Sequence, residues 1–469
     1  MRGNKKSLAL KGTIVGLCCL VSACTSVQQQ KKLDVFNSLY ATGQYMAAAQ
    51  GEIAEIGTHQ TDISYLLEHL QAGVALRYAE EYQMSNEYFD RCEDFIKVHD
   101  EDVFSSSASN VTAILVNDAV LDYRASEYDG IMVNTYKALN FWQQGKKEDA
   151  RIEFNRALDR QRRAKERFAA EIEKQNKAIQ EKQAEENEHL SASGRSIDFD
   201  KSIKNPEIDT IISRNYSNLS EYRKYPDFVN PFTTYMAGLF FMSEGDYSKA
   251  TDLLKESYGM VDTNSTLKND FYSVEKRKFK KSVWVVFENG LGPVKEEFRV
   301  DLPIFLLTDQ AYWTSFAFPR LELRSQAYSY LDVRKNGELL GRTEEVASMD
   351  RIVQTEFEKR FPMILTRAIV STVVKTYLQH EAQKSMGDWG GIAAAIYQGA
   401  TTSADVRIWT GLPKDFQVTK VPMPEDGVLE LETPSGVQSV INLEGVESAI
   451  IYVKAPKPGV ALDYSIIKF

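Results

Sequence analysis

The chain has 469 residues with 43% hydrophobic and 11% aromatic content, enough for two or three domains with real cores. It carries 56 Lys and Arg against 66 Asp and Glu, a formal net charge of −10. That balance excludes a surface built for nucleic acid or anionic lipid headgroups, which needs clustered basic residues.

Arg2, Lys5, Lys6 and Lys11 form a positive N-terminal region, and Thr13 to Ala23 is mostly apolar. This stretch is too short to span a bilayer core of roughly 30 Å as a helix, which takes about 20 apolar residues. The small residues Ser22 and Ala23 suit the close approach of a signal peptidase. Leu20-Val21-Ser22-Ala23-Cys24 resembles the lipobox of bacterial lipoprotein signal peptides, a pattern that Cys18 and Cys19 lack. The resemblance implies that residues 1–23 are removed and that Cys24 carries diacylglycerol and an amide-linked acyl chain such as palmitate. Two or three acyl chains give durable attachment where one is marginal. Lipoproteins retained at the inner membrane resemble one another in having Asp after the cysteine; Thr25 therefore points to the periplasmic face of the outer membrane. Cleavage takes away four positive charges, leaving −14 on the mature chain, with 24–35 as a lipidated, largely polar tether. Acylated Cys24 leaves Cys92 without an intramolecular partner, so stability rests on packing and Cys92 reads as a small buried helix residue.

From residue 36 to 271 the pattern is helical, and one unit recurs. Gly43 to Ala48, Gly145 to Ala150 and Gly245 to Ala250 all fit G-x-x-x-x-A, each after an apolar stretch rich in aromatics. Glu81 to Ser85 is a weaker copy without the glycine. The unit resembles the tetratricopeptide repeat, in which Gly ends one helix and Ala lets the next pack closely. That resemblance makes Gly43, Tyr45, Ala48, Gly145, Ala150, Gly245, Tyr247 and Ala250 repeat-packing residues. The glycines are 102 and 100 residues apart, so an interrupted array is expected.

Arg151 to Leu190 has many helix formers and no Gly or Pro, and predicts one long charged helix. Its stripe of Phe154, Ala157, Leu158, Ala164, Phe168, Ile172 and Ile179 suits either a coiled-coil arm for a partner or a solvated helix packed along one face. Ser191 to Pro206 reads as a loop, and Asn205-Pro206 and Asn230-Pro231 bracket a short segment before the last repeat.

A mixed α/β region is expected from 272 to 469. Ser282 to Phe287, the turn Glu288 to Pro293 and Val294 to Val300 predict a β-hairpin. Further strands are expected at Tyr312 to Phe318 and Tyr328 to Arg334, the latter closing at Asn336-Gly337, and from Val428 to Phe469. Met349 to Phe361 and Met363 to Lys384 return to helical period around Pro362, the second with a broad apolar face for the sheet. Asp388 to Gln398 is rich in Gly and Ala.

Catalytic signatures are wanting. The five histidines have no zinc-binding spacing, and His380-Glu381 lacks the second histidine of H-E-x-x-H. Gly290 to Pro293 reads as a turn between strands, and Lys295, Glu296 and Glu297 as a solvated strand face. Asp405 and Arg407 sit two apart, on one side of an expected strand, with Trp409 on that side to cap a core; they read as a structural pair. The patches Phe287 to Glu297, Phe316 to Arg320 and Asp405 to Pro413, with the lipobox and repeats, resemble a family of uncharacterised bacterial envelope lipoproteins. The resemblance brings no activity and no catalytic residues.

The expectation is an α+β protein: a tetratricopeptide-like array, then a mixed α/β region. It implies a non-enzymatic lipoprotein held in the outer membrane by its N-terminal lipid, with no cofactor and no metal. Repeat helices form concave surfaces suited to an envelope protein partner. The alternatives are an enzyme or small-ligand-binding protein with its site after residue 272, or a structural subunit of an envelope assembly.

Overall fold

A computed structural model describes residues 31–104, 121–191, 198–216, 228–305, 311–386, 403–436 and 438–469. Cys24, the segment before it and the stretch Asp388 to Gln398 lie outside the described residues. The fold is α+β, with helices first and then strands joined by one long helix.

A helix over 31–41 (α1) turns into α2 (Tyr45–Ile56), α3 (Leu66–Tyr78) into α4 (Tyr82–Phe104), and α5 (Glu127–Gln143) into α6 (Lys147–Ser191). After the short helices α7 (Phe199–Ile203) and α8 (Pro206–Asn215), α9 (Pro231–Ser243) turns into α10 (Tyr247–Met260), and α11 (Ser265–Glu275) follows. At all four turns one residue has positive φ: Gly43 at 77°, Glu80 at 60°, Gly145 at 73° and Gly245 at 77°. The closure is the same each time. Gly245 N–H donates to Met242 O at 3.1 Å and Asp246 N–H to Phe241 O at 2.9 Å; Glu80 N–H donates to Arg77 O at 3.2 Å and Glu81 N–H to Leu76 O at 2.9 Å. These bonds satisfy the last carbonyls of the first helix. The weaker copy is thus a full repeat turn with glutamate in the glycine position, and it occupies part of the gap between Gly43 and Gly145.

Asn205 and Asn230, each followed by proline, are N-caps: their side chains accept from Glu207 N–H at 2.8 Å and Phe232 N–H at 3.0 Å. The expected loop from Ser191 to Pro206 includes α7, so it is shorter than the sequence suggests. The long helix runs over 45 residues, about 67 Å at 1.5 Å per residue. Its stripe is buried as far as Ile179 except at Ile172, which is half-buried.

The strands are β1 (Ser282–Asn289), β2 (Val294–Phe305), β3 (Ala311–Glu322), β4 (Asp332–Lys335), β5 (Glu338–Arg342) and β6 (Glu344–Ser348). Helix α12 (Met349–Met386) precedes β7 (Asp415–Pro422), β8 (Val428–Glu432), β9 (Gln438–Asn442), β10 (Ala449–Ala455) and β11 (Asp463–Lys468). One sheet has the order β11-β10-β1-β7-β6, another β5-β4-β8-β9, and β2 and β3 form a separate two-stranded ribbon.

The five-stranded sheet lies between the helices and the four-stranded sheet. Along β1, Trp284 and Val286 join the core shared with the helices, whereas Val283, Val285 and Phe287 join the core shared with Leu429, Leu431 and Ile441. This is the two-residue period of a strand covered on both faces. It explains why Ser282 to Phe287 is an uninterrupted apolar run.

The predicted hairpin from Ser282 to Val300 does not form. Strand β1 is flanked by β10 in parallel and β7 in antiparallel register, so neither edge is free for β2. Gly290 N–H donates to Ala455 O and Gly292 N–H to Leu412 O, both at 2.8 Å, and these bonds lead the chain out of the sheet. Strand β2 pairs instead with β3 over twelve residue pairs. The hairpin at Asn336-Gly337 does form, with φ of 50° and 80°. Met349 to Met386 is a single helix containing Pro362. Aromatic packing holds it beside the proline: the Phe361 ring lies 4.3 Å from Tyr216 and 6.0 Å from Phe318.

Candidate functional site

The concave side of the array is filled by the chain's own sheet. Buried residues make up 12 of 13 in α3, 15 of 17 in α5 and 12 of 13 in α9. A helix buried all round lies within a core rather than on a groove wall. Phe232 of α9 stacks on Phe416 of β7 at 3.7 Å, and Asp270 of α11 accepts from Tyr235 hydroxyl at 2.7 Å, Trp284 Nε1 at 2.9 Å and Lys420 Nζ at 2.9 Å. Glu288 of β1 takes hydrogen bonds from the hydroxyls of Tyr78 and Tyr452, and Lys454 Nζ lies 3.1 Å from its carboxylate.

Segment 404–414 threads into this contact and joins two of the patches, Phe287 to Glu297 and Asp405 to Pro413, while Phe316 to Arg320 pairs with β2 in the ribbon. Trp409 is buried edge-on against Phe89 and Tyr136. Tyr40 hydroxyl donates to Gly411 O at 3.0 Å, and Gln71 Nε2 to Thr410 Oγ1 at 2.8 Å. Arg324 donates to Gly292 O and Thr410 O, Lys295 Nζ to Arg407 O at 3.2 Å, and Ala404 N–H to Glu297 at 3.0 Å. A Cβ on Gly411 would come within 2.5 Å of Val74, so only glycine fits there. Residues 403–409 are not a strand, contrary to expectation, because side chains rather than a ladder take their backbone groups. Lys295 is half-buried and turned toward Arg407, not part of a fully solvated face. Burial pulls its ammonium below the usual lysine range, with Asp405 opposing.

Asp405 and Arg407 do pair: Arg407 Nε lies 2.8 Å from Oδ1 and Nη2 3.0 Å from Oδ2. The guanidinium also sits over the Tyr123 ring. Beside this pair is a pocket of about 310 Å³, bounded by α1, α2, α3, Tyr123 and Arg407. Leu33, Val35, Phe36, Leu39, Ala48 and Leu67 supply its apolar walls, and Glu52, Glu68 and Gln71 its acidic and amide groups. Burial, then Glu68 and Glu55, pushes the Glu52 carboxyl up to about 8. Burial likewise raises Glu68. Glu68 Oε2 and Gln71 Oε1 are buried without a hydrogen-bond partner.

The predicted packing residues occupy the turns and the helix contacts. Ala48, Ala150 and Ala250 are at most 1% exposed, and Tyr45 is buried. Tyr247 is half-buried, its ring stacked on Phe279 at 5.0 Å. None of the glycines lines the pocket, and of the eight only Ala48 does. Glu52, Glu68 and Gln71 escaped sequence reasoning; for Glu68 and Gln71 the available signal was three polar side chains, with His69, inside the otherwise apolar run Leu66 to Leu76. Cys92 is a buried free thiol, and burial pushes it well up.

The class of protein is therefore α+β, paired helices packed against a β-sheet. No family model matches this chain, and no curated protein is similar to it.

Proposed function

We propose that the chain is a lipid-anchored protein on the periplasmic face of the outer membrane, acting as an interaction scaffold for an envelope protein rather than as an enzyme. The pattern ending at Cys24 supports the anchor. No described helix is long and apolar enough to cross a membrane.

The observation that carries the docking role is the ribbon. Among the described residues, β2 and β3 pair only with each other, leaving each with an edge that has no strand partner. Such edges are templates for an added strand. Trp313, near one end of the ribbon, is 57% exposed. Docking falls on the ribbon because the inner face of the array is filled.

A photo-reactive amino acid at position 313 tests this in living cells. A discrete protein adduct is expected at 313 and not at the exposed control position Lys97; identical patterns at both positions, or none at 313, reject the role. Labelled palmitate should enter the chain and be lost in Cys24→Ser; retention of label in that variant rejects the anchor. The pocket between α1 and α3 favours a second reading, small-ligand binding, with the site mainly in the N-terminal helices and only Arg407 supplied from after residue 272.

A further inference from the structure

The pocket at the foot of α1 is selective in its unsatisfied chemistry. Its donors other than Lys31, which is exposed at the rim, are engaged: Arg407 holds Asp405, Lys32 bonds Glu55, Tyr123 hydroxyl donates to Asp129 at 2.8 Å, Ser64 Oγ to Asp62 at 2.7 Å, and Gln71 Nε2 to Thr410. What is left open is acceptor capacity. Glu68 Oε2 and Gln71 Oε1 have no partner, and the Gln71 side chain is fully buried. Glu52, with Lys32 held on Glu55, faces the Glu68 carboxylate across the same space. A buried acceptor left unpaired is destabilising, and a ligand that donates to it relieves that penalty.

The remaining walls are aliphatic and aromatic, and a volume of about 310 Å³ falls at the lower end of the range for small-molecule sites. We infer that this pocket binds an amphiphile with a primary ammonium head and an apolar chain. The head meets Glu52, Glu68 and Gln71, and the chain lies against Phe36, Leu39 and Leu67. Three ammonium hydrogens match three acceptor side chains, and two carboxylates hold a cation far better than a neutral hydroxyl. An anion would meet two acidic side chains, with Arg407 and Lys32 already committed and Lys31 exposed to solvent at the rim.

Two sources have this chemistry: a free aliphatic amine, and the ethanolamine headgroup of a membrane phospholipid. Lys31 lies seven positions after Cys24, a reach of about 25 Å when extended, so a lipid anchor at Cys24 would keep α1 within range of a bilayer surface. The inference stands on the pocket alone and does not depend on the scaffold role.

The test is calorimetric titration of the full chain in phosphatidylcholine nanodiscs, with empty nanodiscs as the blank. The probes are n-octylamine, octanol and octanoate. Octylamine should bind at least tenfold more tightly than either of the others. Glu52→Gln combined with Glu68→Gln should remove that preference while octanol binding and the melting temperature hold. Should the double variant fail to fold, the native protein is titrated in two buffers of different ionisation enthalpy; proton release on octylamine binding is the expected result. Equal binding of octanol and octylamine, preference for octanoate, or amine binding without proton release overturns the proposal. Displacement of octylamine by short-chain phosphatidylethanolamine below its micellar concentration identifies the lipid source, and failure to displace identifies the free amine.

Discussion

Glu288 and Lys454 are register partners on the parallel strands β1 and β10, and their charged groups meet at 3.1 Å with side chains no more than 1% exposed. Both face the helices, where Arg77 stacks over the Tyr78, Tyr136 and Tyr452 rings and Lys454 over Tyr40 and Tyr78. The pair thus lies where array and sheet meet. Removing one partner of a buried ion pair costs about 3–5 kcal/mol, because the other charge is left uncompensated. Lys454→Met should therefore destabilise the protein by about that much. Adding Glu288→Gln should recover most of the loss. Urea unfolding midpoints check both; a single variant as stable as the parent would contradict the buried pairing.

The repeat turns give two substitutions of opposite sign. Gly145 has φ of 73° and open space where a Cβ would sit, so Gly145→Ala meets only backbone strain, about 1–2 kcal/mol. Glu80 already bears that strain at φ of 60° with an exposed side chain. Glu80→Gly should raise the melting temperature and Gly145→Ala lower it. Equal effects in one direction would show that the two turns are not equivalent.

Trp409 should be the most sensitive residue in the threaded segment. It is 2% exposed, and Trp409→Ala leaves a cavity between Phe89 and Tyr136, costing about 3–5 kcal/mol. Its indole N–H is buried without a partner, so Trp409→Phe removes an unsatisfied donor and should cost clearly less. Trp313→Ala, by contrast, should leave stability unchanged. Thermal melts of the three variants rank them.

Glu52 makes stability depend on pH. Its carboxyl is raised from an ordinary 4.5 to about 8 by burial and by Glu68 of α3 and Glu55 of its own helix, with Lys32 of α1 opposing. Between those values the folded chain keeps a proton that the unfolded chain has lost. Stability from this group is therefore fully present below pH 4.5 and is lost as pH rises toward about 8. Glu52→Gln should flatten the profile between pH 5 and 8 relative to the parent. A parallel profile for parent and variant would place the proton elsewhere.

Buried Cys92 gives a kinetic readout. Its thiol, pushed well up by burial, should react with a maleimide only as fast as the surrounding α3–α5 core opens. The labelling rate in mild urea should follow unfolding measured by circular dichroism, and labelling at the rate of a free thiol in buffer would contradict the burial.

Helices and strands were legible where the signal is local. The Gly and Ala of each turn mark a left-handed residue followed by close helix contact, and the charged run from Arg151 predicts a helix because no residue in it breaks one. Asn336-Gly337 specified its hairpin in the same way. Glu80 was harder to read, since glutamate gives no sign of positive φ until the packing of α3 on α4 enforces it.

Partners were not legible. The apolar run Ser282 to Phe287 identifies a strand, but which strands flank it depends on surfaces contributed by residues 415–422 and 449–455. The same holds for the pocket: Glu52, Gln71 and Arg407 come from distant parts of the chain, and nothing local to any of them announces the others. The sequence by itself determined most element types, the net acidity and the lipobox pattern at Cys24, because each rests on neighbours in the chain. Only the tertiary structure decided that the array closes on its own sheet and leaves a pocket at α1, because burial and unpaired acceptors are properties of what packs against a residue.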